Sequence, residues 1–188
     1  FPATAEEEKL DEKKALALSQ AALGKNIGDA TLTDTTGRTV RLSEYRGKPL
    51  VLNFIYSSCA HSCGVMTTLL ADAFENARKV LGPQSFNAIS IGFDTPNDTP
   101  ARMRAYARKQ SVEGTPGWRF LSADATTASM LMERAGFSYA QSAKGFDHLD
   151  QVTVIDGNGE IITQVYGATF EKPLLIEPLK ALVFGTAQ

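Results

Sequence analysis

The strongest constraint is a seven-residue, almost wholly apolar run, Leu50-Val51-Leu52-Asn53-Phe54-Ile55-Tyr56, introduced by Gly47-Lys48-Pro49 and stopped by Ser57-Ser58-Cys59. A run this short that barely alternates cannot have one wet and one dry face. It reads as a central strand with both faces covered. After Cys63 the period becomes helical. Met66, Leu69, Leu70, Ala73, Phe74, Ala77, Val80 and Leu81 share one face at i, i+3, i+4 spacing, until Gly82-Pro83 stops the helix. A covered strand that feeds an amphipathic helix is the beginning of an α/β layer structure.

The flanking segments extend that pattern. Residues 4 to 24 read as a helix opened by Thr4-Ala5-Glu6-Glu7, which has capping-box spacing, with a thin apolar stripe of Ala17, Leu18, Ala21 and Ala22. It is expected to be a peripheral or linker helix without chemistry. Ala30 to Leu42 reads as a short β-hairpin around Asp34-Thr35-Thr36-Gly37. Phe86 to Gly92 is a second strand, and Thr99-Pro100 opens a helix over about 100 to 110. Trp118 to Leu121 is a short strand, and Asp124 caps a helix that Gly136 ends. Strands at 151 to 156 and 160 to 166 are joined by Gly157-Asn158-Gly159, and a last helix at 174 to 184 is delayed or broken by Pro178. The expected fold is α/β and thioredoxin-like: a mixed central sheet flanked by helices, with an N-terminal β-hairpin and a mid-chain insertion.

Composition narrows the class. At 188 residues, with 43% hydrophobic and 21% charged residues, the chain can bury one real core. We divide it into an N-terminal helix and linker region, 1–28, and one domain, 29–188. Net charge is −2 and no dense Lys/Arg run occurs, so no nucleic-acid partner is expected. No apolar stretch is long enough to span a bilayer. The chain begins Phe1-Pro2 without an initiator Met, so we expect a signal or anchor to have preceded it.

Two cysteines and two histidines are the whole thiol and imidazole inventory. Cys59-Ala60-His61-Ser62-Cys63 lies where the central strand passes into the helix, at the carboxyl edge where sites of open α/β sheets collect. Unpaired helix N–H groups favour thiolates there. Two sulfurs four residues apart can face each other, and then close a disulfide or bind a soft metal as thiolates. The competing reading is a merely structural cysteine pair, whose very short loop removes little chain entropy. His148, in Gly145-Phe146-Asp147-His148-Leu149, precedes a strand expected to run antiparallel beside the cysteine strand. That placement brings it towards Cys59 and Cys63 as a metal ligand, against the plainer reading of a surface or core histidine. His61 is the rival third ligand, ranked lower because a residue between two ligands in a tight turn projects away from them. The segment facing the cysteines has no proline, and three residues separate the cysteines rather than two. Both features weigh against a general thioredoxin-type reductase.

From about Thr31 to Phe184 the sequence resembles the Sco/SenC family of copper chaperones for cytochrome oxidase assembly. The resemblance rests on an ordered set: the GKP-introduced strand with Cys59 and Cys63, then Asp94-Thr95-Pro96-Asn97-Asp98-Thr99-Pro100, then Asp147-His148 followed by Val152-Thr153-Val154-Ile155-Asp156-Gly157-Asn158-Gly159. It departs from the family at Ala60 and Gly64, where proline is common, and in lacking an acid between the cysteines. The resemblance implies that Cys59, Cys63 and His148 bind copper, as Cu(I) and also as Cu(II) when a further ligand completes the site. It implies that oxidation to a 59–63 disulfide gates loading. It further implies a copper donor chaperone and a cytochrome oxidase subunit or other copper protein as partners. The expected location is periplasmic or outward-facing, tethered to the inner membrane through an N-terminal anchor. A dedicated thiol-disulfide oxidoreductase acting on oxidase-subunit cysteines, a thiol peroxidase, and a binding module with an inert disulfide are the alternatives. Asp94 and Asp98 are left out of the expected site, since a helix-entry turn accounts for Asp98.

Overall fold

The computed structural model describes residues 9–59 and 62–185. Its centre is a five-stranded sheet of β3 (Leu50–Ile55), β4 (Asn87–Gly92), β5 (Trp118–Leu121), β8 (Gln151–Ile155) and β9 (Ile161–Tyr166), in the order β5-β4-β3-β8-β9. β3, β4 and β5 run parallel, while β8 pairs antiparallel with β3 and β9 with β8, so the sheet is mixed as expected. Every residue of β3 is buried. Its one polar side chain, Asn53, is satisfied across the sheet. Ser90 Oγ donates to Asn53 Oδ1 at 2.6 Å, and Trp118 Nε1 donates to Ser90 Oγ at 3.1 Å. Burial of a polar group in a covered strand is tolerable only with such partners.

Helices flank the sheet: α1 (Glu12–Ala21), α2 (Ser62–Leu81), α3 (Pro100–Lys109), α4 (Ala125–Ala135) and α5 (Pro173–Phe184). Local cap chemistry sets several ends where the sequence places them. Thr99 caps α3, Asp124 caps α4, and Gly136 closes α4 in the left-handed region at φ 68°. A separate hairpin, β1 (Thr31–Thr33) with β2 (Thr39–Arg41), leads through one 3-10 turn, Leu42–Tyr45, towards β3. None of the described helices is long and apolar enough to cross a membrane.

Four expectations need correction. α1 begins at Glu12, because Asp11 accepts the Lys14 N–H at 3.0 Å; the Thr4 capping box lies outside the described residues. Its buried face is Ala15, Ser19 and the following Ala22, not Ala17, Leu18 and Ala21. The face is fixed by hydrogen bonds more than by apolar area, with Ser19 Oγ against Tyr166 Oη at 2.6 Å and Gln164 Nε2 donating to the Ser19 carbonyl at 3.2 Å. Val80 ends α2 on the wet side, 63% exposed. α5 runs from Pro173 straight through Pro178 because buried Leu175 and Leu179 hold it on either side. A second hairpin, β6 (Tyr139–Ser142) with β7 (Gly145–His148), is present as well, an element with no counterpart in the sequence reading, and Tyr139 pairs with His148.

This topology gathers one edge. The carboxyl ends of parallel β3 and β4 lie side by side, with the Phe93 N–H bound to the Ile55 carbonyl at 2.9 Å. The amino end of antiparallel β8 meets them there. The element order is that of a thioredoxin-like fold with an added hairpin.

Candidate metal centre

Both cysteines stand at that edge. Cys63 is the second residue of α2, and its backbone N–H donates to Cys59 Sγ at 3.4 Å. The Cys59 sulfur thus occupies the place of a helix cap, satisfying one of the orphan N–H groups of the first turn. Cys63 is buried and Cys59 partly exposed. The Cys59 side chain beside it, and then burial, push the Cys63 thiol far above its usual range. Two thiolates this close repel each other, so the dithiolate requires a cation to stabilise it, and loading a metal must release protons.

The loop between strand and cysteines is held from below. Asp98 is buried, 1% exposed, although it carries a carboxylate. Its Oδ1 accepts the Ser57 N–H at 2.9 Å and the Ser57 hydroxyl at 2.6 Å, and its Oδ2 accepts the Asp94 N–H at 2.9 Å. Burial raises its pKa against those three hydrogen bonds, which lower it. Gly92 makes room for it: a Cβ there would stand 2.5 Å from the Asp98 Cβ. Entry into α3 is the work of Thr99, so Asp98 is a positioning residue for the cysteine loop that sequence reasoning set aside. The signal was available in the family-like Asp-Thr-Pro segment, but only tertiary structure shows that the carboxylate turns inward.

Histidine 148 ends β7. Its ring packs among Phe137, Phe93 and Tyr56, with centroids 5.3, 5.8 and 6.3 Å away. Nδ1 lies 2.9 Å from the Leu149 carbonyl oxygen. A carbonyl only accepts, so this bond puts the proton on Nδ1 and leaves the lone pair on Nε2, the atom that could bind a metal. Hydrogen bonds to the other ring nitrogen orient ligating histidines generally. Two residues bridge the walls. Burial and a hydrogen bond to Cys59 push the Tyr56 hydroxyl up to about 12, and the same hydroxyl lies 3.5 Å from the Phe146 backbone of β7. Asp150, half-buried and raised by burial, feels His148 on one side and Cys59 on the other.

Cys59, Cys63 and His148 therefore share one edge of the sheet. Among the described residues, however, no three Cys, His, Asp or Glu side chains are gathered tightly enough to hold a metal ion. The donor chemistry suits copper: two neighbouring cysteines and one imidazole whose Nδ1 is engaged by a carbonyl. His61 lies outside the described residues.

A model of the SCO1/SenC family matches residues 20–183. The chain belongs to the SCO1/SenC family. No curated protein matches the sequence. Solved structures do. A SCO1/SenC family lipoprotein from Bacillus anthracis is 20% identical, with a TM-score of 0.76 over 85% of this chain and 96% of that one. Bradyrhizobium japonicum ScoI, solved with copper bound, is 22% identical, with a TM-score of 0.68 over 85% and 99%. Yeast Sco1, also with copper bound, is 16% identical, with a TM-score of 0.72 over 88% and 90%. At these identities the likeness establishes the thioredoxin-like Sco fold for this SCO1/SenC chain.

Proposed function

We propose that this chain is a copper metallochaperone, in which reduced Cys59 and Cys63 hold Cu(I) as thiolates and His148 supplies the third donor through Nε2. The recipient is a copper centre of a cytochrome oxidase subunit, and the protein works on the outward face of the inner membrane. The observation that carries the reading is the Cys59 sulfur seated on the Cys63 N–H at the head of α2, with an imidazole on the neighbouring hairpin whose Nδ1 is engaged by the Leu149 carbonyl. Copper in the Bradyrhizobium and yeast relatives supports the choice of metal. Three donors leave one side of the ion open to a partner's ligands. Oxidation to the 59–63 disulfide removes both thiolates and empties the site.

Titration of the reduced protein with Cu(I) against a competing chelator tests this. One copper per chain is expected when reduced and none when oxidised, with protons released on binding. A reduced protein that fails to compete for Cu(I) contradicts the proposal. The same placement of the two cysteines supports a second reading, a thiol-disulfide reductase for oxidase-subunit cysteines. That reading predicts activity lost in Cys59→Ala and indifferent to His148→Ala.

A further inference from the structure

The two sulfurs differ in how they can be reached. Cys63 is buried at 2% exposure, whereas Cys59 lines an open cleft of about 270 Å³ between the cysteine loop and α3. Ser57, Arg102, Tyr106, Lys109 and Gln110 form its other walls, and Cys63 does not line it. Among the described residues no carboxylate lines it either, although the chain as a whole is slightly acidic. The basic residues of α3 divide into two groups. Arg104 and Arg108 are both bound to Glu113, at 2.9 and 2.8 Å. Arg102 and Lys109, both exposed, form no ion pair with any described residue and flank the cleft beside Cys59.

We propose that this cleft is the entry site of the reductant that reopens the 59–63 disulfide, and that it selects a thiol carrying a carboxylate within a few bonds of its sulfur. Arg102 and Lys109 hold the carboxylate while the thiolate approaches Cys59 from the side away from Cys63. The thiolate attacks the Cys59 sulfur. A bond forms between reductant and Cys59 as the Cys59–Cys63 bond breaks, and the electron pair leaves on Cys63, which takes up a proton. A second equivalent attacks the reductant sulfur of the mixed disulfide, releasing Cys59 as a thiol. Two thiols are oxidised to one disulfide, and the protein gains two electrons and two protons. Two cations near the reacting sulfur attract an anionic thiol and repel a cationic one, most strongly at low ionic strength. The inference rests on the redox-pair reading of Cys59 and Cys63.

The test uses the oxidised protein and three small thiols, 3-mercaptopropionate, 2-mercaptoethanol and cysteamine, with rates of disulfide reduction expressed per thiolate. The wild type is expected to favour the anionic thiol over the neutral one, and the neutral over the cationic. Arg102→Glu/Lys109→Glu lowers the anionic-to-neutral ratio by about ten-fold at low salt. Lys79→Glu/Lys180→Glu, which makes the same change in net charge away from the cleft, leaves the ratio within about two-fold. A ratio unmoved by charge reversal at the cleft overturns the inference while leaving the redox pair intact. Failure of the wild type to form a 59–63 disulfide overturns both. A cysteine peptide flanked by aspartates, run against its asparagine counterpart, separates the two sources of such a thiol. An aspartate preference lost on charge reversal identifies a protein cysteine, and one seen only with 3-mercaptopropionate identifies a small molecule.

Discussion

The two walls of the site are built differently. The cysteine wall grows out of a strand buried at every position, is tied down by the Asp98 carboxylate, and ends with a sulfur capping α2. The histidine wall is a two-stranded hairpin of four-residue strands, most of whose residues are partly or fully exposed. Aromatic edge contacts and weak 3.5 Å hydrogen bonds from Tyr56 attach it to the core. A short ribbon fixed this way opens at low cost, whereas a strand paired on both sides does not. The proposed copper transfer would need one rigid wall and one adjustable wall.

Removing a thiol is the severest way to break that contrast. Cys63→Ala should weaken Cu(I) binding by more than about 100-fold, beyond what losing a hydrogen bond behind a ligand costs, as read by chelator competition. Asp98→Ala tests the rigidity of the same wall. It orphans the Ser57 N–H, the Ser57 hydroxyl and the Asp94 N–H, and should cost about 3 kcal/mol in chemical denaturation. Its pH dependence has a definite sign. Burial raises the folded-state pKa of Asp98 above the ordinary 3.8, so the folded protein holds that proton longer than the unfolded chain. The wild-type advantage over Asp98→Ala is therefore full below 3.8 and narrows as pH rises through the folded pKa.

The histidine wall should respond in the opposite proportion. His148→Ala is expected to weaken copper binding by about 10- to 100-fold while changing stability by less than about 1 kcal/mol. The smallest effect belongs to the link between walls. Tyr56→Phe removes hydrogen bonds of marginal length and should cost about 1 kcal/mol or less. Hydrogen exchange should nevertheless quicken in β6 and β7 and stay unchanged in α2. Equal quickening in both would show that the walls are one unit, and the contrast would fail.

The legible parts of the sequence were those set by local chemistry. Cap residues such as Asp124 and Gly136 act over one turn, and the apolar run at 50 to 56 declares its own burial. The antiparallel approach of 151 to 155 to the cysteine strand followed from the order of elements, and with it the shared edge of Cys59, Cys63 and His148. The hairpin carrying His148 was not legible, because four-residue strands with mixed exposure leave no clean alternation. The burial of Ser19 and Asp98 was hidden for a different reason. Polar residues enter a core only when distant partners satisfy them, and those partners, Tyr166 and Ser57, lie 147 and 41 residues away.

The central claim is that His148, not His61, completes a copper site founded on Cys59 and Cys63. X-ray absorption spectroscopy of the Cu(I)-loaded protein addresses it directly, with His148→Ala and His61→Ala compared to the wild type. The account predicts two sulfur donors and one imidazole in the wild type, an imidazole signal lost in His148→Ala, and a spectrum unchanged in His61→Ala. An imidazole that survives His148→Ala, or disappears in His61→Ala, would contradict it.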